Sequence, residues 1–155
     1  MKRISLLVVL FVFVHQAVLA QSGALVFLHP EYFLRKHLTN YEAPQYPDEA
    51  RNEKAHGTVH LFVVFDTQGR LSEATILDSP NESLAEAVLS ACKTWRLKPY
   101  AQDAEAFYLG ELRVVFTLEE GSAKVTETSE ADQRKVSDRF TKEKTDWIKR
   151  NKGQG

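Results

Sequence analysis

Between Thr58 and Asp66 the apolar residues Val59, Leu61, Val63 and Phe65 fall on alternate positions, as a strand with one buried face requires. The same period returns at Leu112, Val114, Phe116 and Leu118, with Glu111, Arg113, Val115 and Thr117 between them, and predicts a strand over 111–118. Thr67-Gln68-Gly69-Arg70 reads as a turn with glycine where positive φ is needed, so a hairpin to Leu71–Asp78 follows, with Ala74 and Ile76 facing the same core. Helical spacing appears at Leu84, Val88, Ala91 and Trp95, and Ser83 with Glu86 has the form of a capping box at its start. Pro99 limits that helix. Pro47, followed by Asp48 and Glu49 at the positive end, predicts a shorter helix to about Lys54.

Helix, strand, strand, helix, strand is an α+β pattern. It predicts a small three-stranded antiparallel sheet with two helices on one face. Upstream, an apolar cluster at 24–28 precedes His29-Pro30, which opens a short helix through Phe33, Leu34 and Leu38. Downstream, Ser129-Glu130-Ala131-Asp132 resembles a helix start, and Val136, Phe140, Trp147 and Ile148 form a thin stripe after it. Glu130–Arg134, Asp138–Lys142 and Asp146–Arg150 are favourable i,i+4 pairs, and Lys149, Arg150 and Lys152 suit a C-terminus, so a charged helix is expected over 130–150. The outward face of the sheet carries Phe62, Val64, Leu77 and Val115, a cluster that marks a covered or contact surface. Either segment 24–34 or the tail could cover it. The tail itself has three readings: docking on this domain, binding a partner or a second copy, or lying in solvent.

The N-terminus bears on compartment. Lys2 and Arg3 precede an apolar run over 4–14, and Val18 and Ala20 sit at −3 and −1 before Gln21, the layout of a cleavable secretory signal over 1–20. That run is shorter than the roughly 20 apolar residues a spanning helix needs, so export out of the cytoplasm is expected, with membrane anchoring if the leader is retained. The chain then divides into an N-terminal segment at 21–43, a domain at 44–118 and a charged tail at 119–155. Among 155 residues the net charge is −1, which gives no basic footprint and argues against nucleic acid as a partner. The one cysteine, Cys92, lies in the apolar helical stripe and reads as a buried thiol.

Catalytic chemistry is not visible. His56 and His60 are four apart, but HGTVH is not the HExxH zinc helix and no third ligand is evident; His29 and His37 read as solvated. No nucleophile elbow, phosphate loop or EF-hand loop occurs. No catalytic residue, metal ligand or cofactor is assigned, and an enzyme is not expected.

Taken in order, Pro44-Gln45-Tyr46-Pro47, Ala50, Gly57-Thr58-Val59, Phe65, Gly69-Arg70-Leu71, Ile76-Leu77 and Trp95-Arg96-Leu97-Lys98-Pro99 resemble the C-terminal domain of TonB, the periplasmic energy transducer of Gram-negative bacteria. The resemblance covers 44–118, about half the chain, and implies the same α+β domain. It implies a protein-binding module, an accessory or energy-transducing component of TonB-dependent outer-membrane transport. The alternative is a stand-alone envelope interaction module with no role in transport. In the family, an extended segment of an outer-membrane receptor, the TonB box, adds itself beside the last strand of the sheet through unpaired backbone groups. Carried over, this makes Glu111, Arg113, Val115 and Thr117 an edge strand for a partner, flanked by Glu42, Gln45 and Tyr46 of the preceding segment. The competing reading is that the chain's own tail covers that edge. A family transducer also has a transmembrane helix and a long Pro-rich spacer; here 21–43 contains one proline, Pro30. An inner-membrane motor would therefore be reached through another protein. Oligomeric state is left open.

Overall fold

The computed structural model describes residues 25–99, 106–120, 122–134 and 137–151. The leader at 1–20, together with Val136 and Lys152 of the tail pattern, lies outside these residues. The elements in chain order are β1 (Leu25–His29), α1 (Glu31–His37), α2 (Asp48–Asn52), β2 (Gly57–Phe65), β3 (Leu71–Asp78), α3 (Glu82–Cys92), β4 (Ala106–Glu119), β5 (Ser122–Glu127), α4 (Glu130–Gln133) and α5 (Asp138–Asn151).

The α+β class is as expected, but the sheet has five strands rather than three. Its main path runs β1-β4-β2-β3, and β5 also pairs with β4. The β2–β3 hairpin forms where the turn signal predicts it. Gly69 takes φ 74° there, and Asp66 Oδ1 accepts from the amides of Gln68 and Arg70, each at 2.9 Å. Two strands were not legible as such. The cluster after Ala24 becomes β1, parallel to the start of β4 with Leu25 opposite Ala106. The segment after Glu119 turns back as β5, antiparallel to the end of β4. Glu120, at φ 46°, follows the last residue of β4, and Glu119 and Ser122 are the first pair of the ladder.

The alternating residues face as predicted. Val59, Leu61, Val63, Phe65, Leu112, Val114 and Phe116 are buried with Leu34, Leu84, Val88 and Trp95 in one core between the sheet and the helices α1, α2 and α3. Gly110 has no Cβ to block Leu34, so α1 packs close on β4. The capping box at Ser83 does not form. Asn81 is the cap of α3, its Oδ1 accepting from the Ser83 and Leu84 amides at 2.9 and 3.4 Å, while the Ser83 hydroxyl donates to Glu49 Oε2 at 2.8 Å. Asn is as good a cap as Ser, and with the cap two residues earlier Ser83 falls inside the first turn, its own amide one of the two that Asn81 satisfies.

On the opposite face the tail docks. The single helix expected over 130–150 is two, α4 and α5, and α5 lays Phe140 and Trp147 over Phe62, Val64 and Leu109 in a second core, with Leu77 beside it. Trp147 Nε1 donates to Glu73 Oε2 at 3.0 Å and Arg150 pairs with Glu73 at 3.1 Å, tying the helix to β3. The fourth residue of the predicted outward cluster, Val115, is half-buried opposite Thr126 of β5 instead.

Candidate functional site

Strand β4 is not an edge. One flank pairs with β2 from Tyr108 to Phe116. On the other, β1 takes 106–110 and β5 takes 114–119. Between those two ladders the backbone of Arg113 is met by side chains of α1. Its amide donates to Glu31 Oε1 at 2.9 Å, and its carbonyl accepts from Arg35 Nη2 at 2.6 Å. Two side chains one helical turn apart thus stand where a neighbouring strand would supply C=O and N–H. The exposed rim predicted at Glu111–Leu118 is therefore corrected. A bare flank would leave a row of amides unpaired, and the chain closes it with its own segments.

The closure is ionic and buried. Glu31 Oε2 accepts from Arg113 Nε at 2.8 Å and from Thr128 Oγ1 at 3.2 Å, and Arg35 pairs with both Glu31 and Glu127 at 2.9 Å. The side chains of Glu31, Arg35 and Arg113 are 1%, 6% and 10% exposed, so each charge depends on the others for the solvation it has lost. Glu111, on the face toward α5, accepts from His60 Nδ1 at 2.7 Å and from the Ser137 amide at 3.2 Å. Burial pushes its carboxyl up, but the hydrogen bonds from His60 and Ser137 and the charge of Arg113 outweigh this and hold it below its ordinary value. Thr117 faces Lys124 across the β5 ladder, its hydroxyl donating to the Lys124 carbonyl at 3.4 Å. All four predicted strand residues are thus engaged within the molecule.

Glu42, Gln45 and Tyr46 lie elsewhere. Tyr46 is buried edge-on against Phe116, ring centroids 5.4 Å apart, and its hydroxyl donates to the Ala55 carbonyl. The Glu42 carbonyl accepts from Trp95 Nε1 at 3.0 Å, which anchors the segment to the core indole. Glu42, Gln45 and Tyr46 form one wall of an open groove of about 810 Å³, whose other walls are Ala87, Ser90 and Ala91 on one side of α3 and Ala123 and Val125 of β5. Apart from the Tyr46–Phe116 contact on the core face of β4, the structure brings the preceding segment to the groove beside β5. Ala123 and Val125 alternate with Lys124 and Thr126 directly after Glu120-Gly121. This hairpin signal was available but lies in a polar stretch that otherwise reads as tail.

His29 and His37 are half-buried rather than solvated as expected. His29 stacks on Phe33 with centroids 4.0 Å apart, and Phe33 on His37 at 4.1 Å. Burial, then the neighbouring His37, lowers the His29 pKa. His56 Nδ1 lies against the Lys54 carbonyl at 2.9 Å. Cys92 is buried as predicted, and burial pushes its thiol up to about 11.

Comparison with known proteins places the domain. The family model described as the Gram-negative bacterial TonB protein C-terminal matches residues 42–118. No curated protein matches the sequence. Among solved structures the chain is similar to the solution NMR structure of Pseudomonas aeruginosa TonB CTD, with 21% identity over 54% of this chain and 86% of that one, and a TM-score of 0.47. The family match begins after α1 and stops before β5, so the segments that close the β4 flank lie outside it. Over residues 42–118 this chain belongs to the family of the Gram-negative bacterial TonB protein C-terminal domain.

Proposed function

We propose that the chain works as a TonB-like protein-binding module on the periplasmic side of the envelope, serving outer-membrane transport by taking an extended receptor segment as an added strand. Family membership over 42–118 is the observation that carries this reading. The sheet supports it physically, because strand addition draws affinity from backbone groups and needs little side-chain complementarity. Titration of the purified protein with labelled N-terminal peptides of TonB-dependent receptors tests the proposal. Saturable binding that a scrambled peptide does not reproduce supports it, and equal binding of both peptides counts against it.

A second reading has its own observation. The chain closes the β4 flank with β1, α1 and β5, which suits an envelope module whose partner is not a receptor. A photo-crosslinker at exposed Gln45 in living cells separates the two. Capture of an outer-membrane receptor favours transport, and capture of another envelope protein favours the stand-alone module.

A further inference from the structure

The geometry points to the outer rim of β5, with the groove beside it, as the place where an extended peptide adds to this sheet. This rests on the reading of the chain as a strand-adding module and moves the contact from β4 to its neighbour. The direction of the backbone groups decides it. Arg113 aims its amide and carbonyl away from β2, toward Glu31 and Arg35. Direction alternates along an antiparallel strand, so Val115 and Thr117 aim theirs at β5. They stand opposite Thr126 and Lys124, which must answer them. Ala123 and Val125 therefore direct their amides and carbonyls outward, and among the described residues no strand pairs with that side.

The side chains fit the same picture. Ala123 and Val125 share the core face with Leu118 and Phe116, which they oppose, and both form a wall of the groove. A strand added along β5 would lie about 5 Å away and drop every second side chain into that groove. Short side chains on the α3 wall, Ala87, Ser90 and Ala91, leave the space open. Its volume of about 810 Å³ is within the roughly 300–1,000 Å³ of ligand-binding clefts. Charge selects the occupant further. Asp48 at the mouth is paired with Arg51 at 3.3 Å, and the exposed Glu42 beside it favours a basic side chain over an acidic one. The occupant is thus an extended segment of a partner protein with apolar side chains at alternate positions and a Lys or Arg at one end.

By contrast, β3 is a guarded rim. Its pairing with β2 shifts register twice, and Glu73 and Asp78 on it are held by Arg150 and Arg139 of α5. Irregular, charged strands of this kind resist edge pairing.

The test uses the purified protein and two labelled probes, a receptor N-terminal peptide and a short Val/Thr-alternating peptide ending in Lys. Val125→Pro removes an outward amide and leaves the ladder groups of Lys124 and Thr126 in place. It should weaken both probes about tenfold or more with the melting temperature nearly unchanged. Ser90→Trp, which fills the groove from an exposed position, should weaken them as well. Thr126→Pro loosens β5 from β4 and should also weaken binding; tighter binding in that variant, with V125P unaffected, would overturn the assignment in favour of β4. Loss of the alternating peptide in V125P, with no receptor-peptide binding to the parent protein, keeps the rim and removes the transport reading. Receptor-peptide binding that V125P does not disturb removes the rim and keeps that reading. A dimer dissolved by V125P, with neither probe bound, would assign the rim to a second copy and overturn the proposal.

Discussion

The two strands of the β4–β5 hairpin face outward in opposite circumstances. On β4 the outward flank is closed three times over: by a parallel strand, by a side-chain pair from α1 and by β5. On β5 the outward groups of Ala123 and Val125 meet a groove. The segments that close the first rim, β1, α1 and β5, lie outside the family match. A domain can therefore keep its family core and still relocate its available rim by adding flanking chain, because backbone pairing asks for geometry and little sequence.

Removing one member of the closure breaks this contrast most strongly. Glu31→Ala removes the buried carboxylate that both Arg113 and Arg35 share, leaving Arg35 only its pair with the half-exposed Glu127, and should cost about 3–5 kcal/mol, read by urea unfolding. It should also speed exchange of the Arg113 amide. Trp147→Ala acts on the other face, where α5 covers Phe62 and Leu109. It should cost about 3–5 kcal/mol, and Trp147→Phe should recover most of that loss. If W147A leaves stability unchanged, α5 is not held on the sheet in solution.

A smaller, pH-dependent effect sharpens the role of Glu111. Its carboxyl is held below the ordinary 4.5 in the folded protein. Its contribution is therefore present above that value and is lost as pH falls through the folded pKa. Glu111→Gln should be less stable at neutral pH and show a flatter loss of stability below about pH 4.5; parallel acid-unfolding curves for the two proteins would contradict the assignment. The smallest effect belongs to Val125→Pro, because the amide it removes faces outward from the sheet. Its stability should change by less than about 1 kcal/mol, and a larger loss would mean that the Val125 amide points into the β4 ladder.

The sequence carried the inner half of this account. Alternation at Val59–Phe65 and Leu112–Phe116 has one physical solution, a half-buried strand, and the Gly69 turn joins two such strands by itself. The rims were harder to read. β1 is a five-residue strand with four apolar residues in a row, too short for its period to separate strand from helix. β5 has two modest apolar residues among polar ones, so its signal was the turn before it rather than its own pattern. Nothing local announces that Glu31 and Arg35 reach Arg113, residues 82 and 78 positions away. Such a pairing is a property of the fold, since α1 first has to land on β4 over Gly110.

Residue-by-residue amide hydrogen exchange on the unliganded protein tests the central claim most directly. Slow exchange is expected at Arg113, Val115 and Thr117, where the chain seals its own strand, and fast exchange at Ala123 and Val125 beside protected Lys124 and Thr126. Exchange at Val115 and Thr117 as fast as at Val125 would show that β4 is open in solution and would contradict it.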